Sequence, residues 1–281
     1  MNKKLGSKEV KEFALSHGAS MVGVAPVERF SEAPKGHRPT DFIKDARSVI
    51  VQGIRLLPSV VDWRDYFKES EELLPAKRDF LAWGIYHKGG YEVVNRKLEL
   101  LALDMALFLE NQSFRSIFFP ATGPYDFDIN RLMILRPYWY RLREIAMEKE
   151  ERENKKEYEK GKIKKKGFYS FSHRHAAVLA GLGRFGINNL VLTPDYGPRM
   201  RFISVISTME IEPDPLIKKE ICLYPKCTKC IDECPFKALT SPHKMDLCGL
   251  KRLVSDFDED KCPDEYPICG GVCINVCPIG K

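Results

Sequence analysis

Nine cysteines, all between positions 222 and 277, constrain this chain more than any other feature. The first 221 residues hold none, whereas a disulfide framework would spread over its domain, so the clustering points to metal. The first group, CLYPKCTKCIDECP, ends with Cys227, Cys230, Cys234 and Pro235 in the C-x2-C-x3-C-P spacing of an iron–sulfur loop; its leading cysteine is displaced upstream to Cys222. The second, CGGVCINVCP, supplies Cys269, Cys273, Cys277 and Pro278.

Two such endings imply two four-iron four-sulfur clusters. In paired clusters the cysteine before proline ligates the other cluster. That exchange gives Cys222, Cys227, Cys230 and Cys277 for one, and leaves Cys234, Cys269, Cys273 and either Cys248 or Cys262 for the other. Zinc is the competing structural reading, and the paired C-P endings favour clusters. Cys230→Ser should then remove one cluster and leave the other.

Far more chain precedes the cysteines than an electron carrier requires. The 281 residues are enough for a large core, with KEVKEFALSHG from Lys8 reading as an amphipathic helix ended by Gly18. SMVGVAP, ARSVIVQGIRL, FRSIFFP and MRFISVIST read as strands, and a long helix is expected from about Glu92 to Glu110. Strand and helix alternate, which favours an α/β layer structure over residues 1–212. The segment near 130–168 reads as a charged helical insertion. The proline-spaced EIEPDPLIKKE marks a boundary, and 213–281 is expected to be a loop-rich unit held largely by its inorganic core.

Charge excludes little. The net +6 is mild, and residues 148–166 carry nine basic and six acidic side chains with a single aromatic, Tyr158, as a solvated helix does. The apolar run at 98–110 is broken by Glu99 and Asp104, so no membrane span is expected, and MNKKLGSKEV lacks an apolar signal core, so a cytoplasmic location is. GLGRFG at 181–186 fits G-x-G-x-x-G, but a helix-like SHRHAAVLA precedes it and no acid closes a βαβ unit after it; a dinucleotide site is not expected.

AGLGRFGINNLVLTPDYGPRMRFISVIST followed by CTKCIDECP and VCINVCP resembles the epoxyqueuosine reductases and, more distantly, the reductive dehalogenases. KEVKEFALSHGASMVGVAPVERF, ARSVIVQGIRL and GGYEVVNRKLELLA look like earlier elements of the same family. The resemblance implies a nitroreductase-like α/β (α+β) domain that holds cobalamin, beside a ferredoxin-like domain that carries the two clusters and delivers electrons to cobalt. It implies that Gly181, Leu182, Gly183, Gly186, Asn188, Asn189, Tyr196 and Gly197 line the corrinoid, and that Cys248 completes the second cluster with Cys262 spare. It further implies reduction of an epoxide, carbon–halogen or similar bond in a small molecule or modified nucleoside, with a ferredoxin or flavodoxin as low-potential donor.

Two departures matter. Where the epoxyqueuosine reductases place an aspartate as proton donor, PATGPYDFD has Ala121; Asp126, Asp128, Tyr169, His173 and His175 are the remaining candidates, against plain roles as turn formers or helix-start residues. The sequence also stops four residues after Cys277, where those reductases continue into a helical-repeat region that grips tRNA; a short form is expected, for which the basic insertion could compensate, or a different substrate or another corrinoid protein could be the object of reduction. An electron-transfer protein that reduces a corrinoid or cluster-bearing partner is the second reading, and a flavin-dependent reductase the third.

Overall fold

The structure, a computed structural model, describes residues 5–66, 75–121, 171–258, 261–262, 269 and 271–281. The expectations for Asp126, Asp128, Tyr169 and the 130–168 insertion lie outside these residues.

Helix α1 (Ser7–Ser16) opens where the Gly6 amide donates to the Glu9 carboxylate at 3.2 Å, and it is closed by Gly18 at φ +102°, a left-handed position. Strand β1 (Met21–Pro26), the single turn α2 (Pro39–Phe42) and β2 (Ser48–Arg55) follow. The one-turn helices α3 (Pro58–Val61) and α4 (Trp63–Tyr66) precede α5 (Pro75–Ile85), which runs through a π-helical stretch, Tyr86–Glu92, into the long α6 (Val93–Glu110). Then come β3 (Ser116–Phe118), α7 (His173–Leu179), β4 (Arg184–Phe185), β5 (Val191–Leu192) and β6 (Met200–Ser207). The cysteine-bearing part contributes α8 (Lys229–Asp232), β7 (Leu239–Leu247), β8 (Leu250–Phe257) and α9 (Val272–Asn275).

The central sheet has the order β1-β2-β6-β3, and every pairing is antiparallel. Both of its faces are covered, which is why β2 reads Val49-Ile50-Val51 without alternation. Register sorts the side chains: Val49 opposite Ile206 and Ala25 faces the α7 side, while Ile50 opposite Val205 and Val24 faces α1 and α6. Gln52 on the latter face is buried and donates to the Leu101 carbonyl of α6 at 3.2 Å, so its amide costs little there. Gly23 faces α7, where a Cβ would stand 2.5 Å from the Ala180 carbonyl oxygen. The helix lies that close because no side chain intervenes.

The cysteine-bearing part is less loop-rich than its composition suggests. β7 and β8 form a long antiparallel hairpin whose Leu250 and Val254 join the core on the α7 side of the sheet. Organic packing thus shares the work assigned to the clusters. Its two-residue turn is Cys248-Gly249, with φ of 53° and 78°, the left-handed pair of a type I′ turn.

The proline-spaced boundary is pinned to the sheet. Asp214 exchanges backbone hydrogen bonds with the edge strand β1, accepting from the Val24 amide through its carboxylate at 2.8 Å and donating its own amide to the Val24 carbonyl at 2.9 Å. Lys11 of α1 holds the same carboxylate at 2.5 Å.

Candidate metal centre

Cys222, Cys227, Cys230 and Cys277 line one small pocket, whose α/β wall is Ile187, Asn188 and Leu192. Three of the four come from one loop because α8 begins at Lys229 and turns Cys230 inward, where it is buried. Cys277 arrives from the far end of the chain, carried by α9. The Cys230 thiol is pushed up to about 12 by burial and by the neighbouring Cys222, Cys277 and Cys227. Burial raises Cys277 as well, with the Arg199 guanidinium pulling the other way. Thiols that disfavour each other's charge in a buried site suit a cation-rich cluster, which supplies the missing countercharge. Among the described residues no three His, Cys, Asp or Glu side chains converge tightly enough for a single ion; these thiols surround a space instead.

A second group adjoins the first. The Cys273 thiol is raised well above the ordinary range by burial and then by Cys269, Cys262, Cys230 and Cys234. Backbone hydrogen bonds explain how Cys262 comes to be there. The Ala238 amide donates to the Cys234 sulfur at 3.4 Å, the Asp258 amide to the Ala238 carbonyl at 2.9 Å, and the Cys262 amide to the Asp258 carbonyl at 3.1 Å.

Cys248 does not share in this grouping. It is exposed at the turn of the β7–β8 hairpin, whereas the hairpin's base at Leu239 packs beside Cys222, Cys230 and Cys273. Eight residues of strand separate the two ends, roughly 25 Å at ~3.3 Å per residue. The expectation that Cys248 completes the second cluster is therefore corrected: strand geometry carries it away from the other thiols, and Cys262 stands in the place it was given.

The residues expected to line a corrinoid are placed differently from that expectation. GLGRFG forms no βαβ turn; Arg184-Phe185 pairs with Val191-Leu192 in a tight hairpin. Gly183 and Gly186 are backed by Leu192, Gly181 by the Pro215 carbonyl, and Gly197 by the Ile279 carbonyl, which a Cβ at that position would approach to 1.9 Å. Leu182 and Asn188 are buried. Asn188 lines the cysteine cavity and donates to the Cys273 carbonyl at 3.3 Å, while Asn189 donates to the Ser255 carbonyl of β8 at 2.6 Å. Tyr196 meets Gly280 and the Arg55 guanidinium. Where these contacts run, the segment is a seam between the sheet domain and the cysteine-bearing part, filled by protein rather than open to a flat cofactor.

Of the proton-donor candidates, His173 and His175 fall within the described residues. His173 Nε2 donates to the Pro120 carbonyl at 2.9 Å, and its Nδ1 accepts from Ser204 at 3.0 Å. Desolvation lowers its pKa to about 4, and Arg201 adds to the shift against the Pro120 bond. His175 is lowered to about 4 by burial and by Arg174, with Ser172 on its Nδ1 at 2.7 Å. Both rings are neutral near pH 7 and engaged with protein, as structural histidines are. Ala121 packs at the edge of the α6 core.

Sequence reasoning passed over Arg199. Fully buried, it donates to the carbonyls of Cys277, Ile279 and Asn275 and to the Asp62 carboxylate, so it ties the last cysteine to the sheet domain. Its only sequence signal is a charge at the start of a buried strand, in GPRMRF.

No family model matches the sequence. Among curated proteins, the tetrachloroethene reductive dehalogenase of Sulfurospirillum multivorans is 35% identical over 114 residues, which cover 37% of this chain and 23% of that one. The epoxyqueuosine reductase of Bacillus subtilis is 33% identical over 119 residues, 39% of this chain and 29% of that one. Among solved structures, a selenomethionine-labelled epoxyqueuosine reductase superposes with a TM-score of 0.52 at 19% identity, over 97% of this chain and 65% of that one. A reductive dehalogenase studied for B12-dependent dehalogenation gives 0.54 at 16% identity, over 98% of this chain and 32% of that one. The chain thus spans less than two thirds of the length of each of these proteins. In part of its sequence, and in fold over nearly all of its length, it is similar to the epoxyqueuosine reductases and the reductive dehalogenases.

Proposed function

We propose that the chain is an iron–sulfur reductase of the B12-linked kind, with one four-iron cluster on Cys222, Cys227, Cys230 and Cys277 and a second on Cys234, Cys262, Cys269 and Cys273. The observation that carries this is the convergence of four thiols on one pocket, with the Cys273 group next to it. Such clusters supply single electrons at low potential. The chain's own part would be to present the four thiols around one space, to exclude water with Ile187 and Leu192, and to brace that site against the sheet domain through Arg199 and Asn188.

Likeness to the B12-dependent dehalogenase supports a corrinoid as electron acceptor, and likeness to the epoxyqueuosine reductases, one of which is solved with an epoxyqueuosine-modified tRNA stem loop, supports an epoxide in a modified nucleoside as one substrate class. A carbon–halogen bond is the other. The packed glycine segment does not fit the corrinoid-lining role.

Anaerobic reconstitution with iron and sulfide, followed by added cobalamin, tests the reading. About eight irons per chain are expected, and retained cobalt would put the corrinoid on this chain rather than on a partner. Failure to take up iron would sink it.

A second reading, a one-electron carrier that reduces a corrinoid-bearing partner, is favoured by the protein-filled seam at Gly181, Gly183 and Gly197. Eight irons, no retained cobalt and cluster oxidation on mixing with a corrinoid protein would decide for it.

A further inference from the structure

We infer that the loop Lys218–Lys229 is the docking surface for the electron donor, and that the donor is a small acidic iron–sulfur protein. This rests on the proposed cluster at Cys222, Cys227, Cys230 and Cys277.

Electrons enter a buried cluster where its cage comes closest to solvent. Here the cavity wall facing solvent includes Leu223, which is 50% exposed, and Lys229, the only charged side chain lining the cavity. Cys222 and Cys227 on either side of that wall are half-buried, whereas Cys230 and Cys277 behind it are buried.

The loop itself is predominantly basic. Lys218, Lys219, Lys226 and Lys229 are exposed along the loop. Its single acid, Glu220, is taken from behind by two arginines: Arg184 at 2.7 Å and Arg252. Asp232 and Glu233 on the next turn are partly offset by Lys237, which donates to the Asp232 carbonyl. An exposed apolar tip, Leu223 and Pro225, set among lysines around a redox centre suits an acidic partner that meets the surface by attraction and excludes water at the point of contact. The transfer needs no bond made or broken: the donor's reduced cluster gives up one electron, this chain's first cluster gains it, and no proton moves.

Reversing charge at Lys219 and Lys226 tests the surface without touching the cavity lining. The full chain with both clusters loaded is mixed with reduced acidic ferredoxin in a stopped-flow instrument, and cluster bleaching is followed directly. Lys219→Glu/Lys226→Glu should slow reduction about tenfold at low ionic strength, and the difference should shrink as salt is raised. Reduction by a cationic viologen radical should not slow, the cluster midpoint should stay where it was, and Lys35→Glu/Lys44→Glu, between β1 and β2, should behave as the parent chain does.

An unchanged ferredoxin rate overturns the inference. So does equal slowing in the Lys35/Lys44 pair, which would mean net charge alone, or slowing with every reductant together with a shifted midpoint, which would mean that the lysines only balance the cluster. Slowing seen with an acidic flavin carrier and absent with ferredoxin overturns the choice of partner. Absence of clusters in the parent chain is a separate result, and it overturns the proposed function itself.

Discussion

Arg199 donates from Nη1 to the carbonyl of Cys277 at 3.4 Å while its Nη2 holds the Asp62 carboxylate at 3.2 Å, so one buried guanidinium joins Cys277 to the sheet domain. Arg199→Met would remove the guanidinium from three carbonyls and leave the Asp62 carboxylate to Asn275. Breaking such a pair should cost roughly 3–5 kcal/mol, read as earlier chemical unfolding of the cluster-loaded protein. Arg199→Lys should recover little of this, because one ammonium cannot reproduce the guanidinium's fork.

The fourth ligand of the proposed second cluster is decided between exposed Cys248 and half-buried Cys262 by position. Cys262→Ser should lower the iron content and alter the paramagnetic signal of one cluster, whereas Cys248→Ser should leave both as they were. Iron analysis with electron paramagnetic resonance checks the pair, and iron loss confined to Cys248→Ser would restore the ligand set expected from family resemblance.

Gly197 and Gly36 both have positive φ, 53° and 91°, yet their surroundings differ. A methyl group at Gly36 meets nothing within 4 Å, so Gly36→Ala should cost about 1 kcal/mol of backbone strain. At Gly197 it would stand 1.9 Å from the Ile279 carbonyl oxygen, and neither backbone can yield without moving Cys277 two residues away. Gly197→Ala should therefore destabilise by several times as much as Gly36→Ala and release the first cluster, seen as loss of cluster absorbance on purification.

His173 and His175 set an acid limit. Their folded pKa values, about 4, lie below the ordinary 6.5. The unfolded chain thus takes up protons first as pH falls, and the stability these rings contribute is complete above pH 6.5 and drains away between there and pH 4. Urea midpoints measured from pH 7 to 4.5 should fall, and His173→Gln should flatten that fall. An unchanged slope in the variant would show that His173 titrates as an exposed histidine does.

Much of the architecture was legible in the residues. Val49-Ile50-Val51 announces a strand covered on both faces, Gly18 the end of α1, and Glu92 to Glu110 the long helix, because local periodicity and backbone preference act within one element. That Cys222, Cys227, Cys230 and Cys277 line one pocket agrees with the grouping expected from the spacing and from the exchange between paired loops.

Contacts between distant elements were not. Leu247-Cys248-Gly249-Leu250 reads equally as an isolated ligand or as a two-residue hairpin turn, and only the pairing of β7 with β8 decides that Cys248 is carried away from the other thiols. The same holds for the glycines of GLGRFG and YGP, whose spacing suits a flat cofactor as well as it suits a backbone lying against them. Sequence by itself determined which residue types could hold iron, because ligand chemistry belongs to side chains. The tertiary structure decided which of them meet, because a carbonyl from Pro215 or Ile279 arrives at its glycine only when the chain has closed on itself.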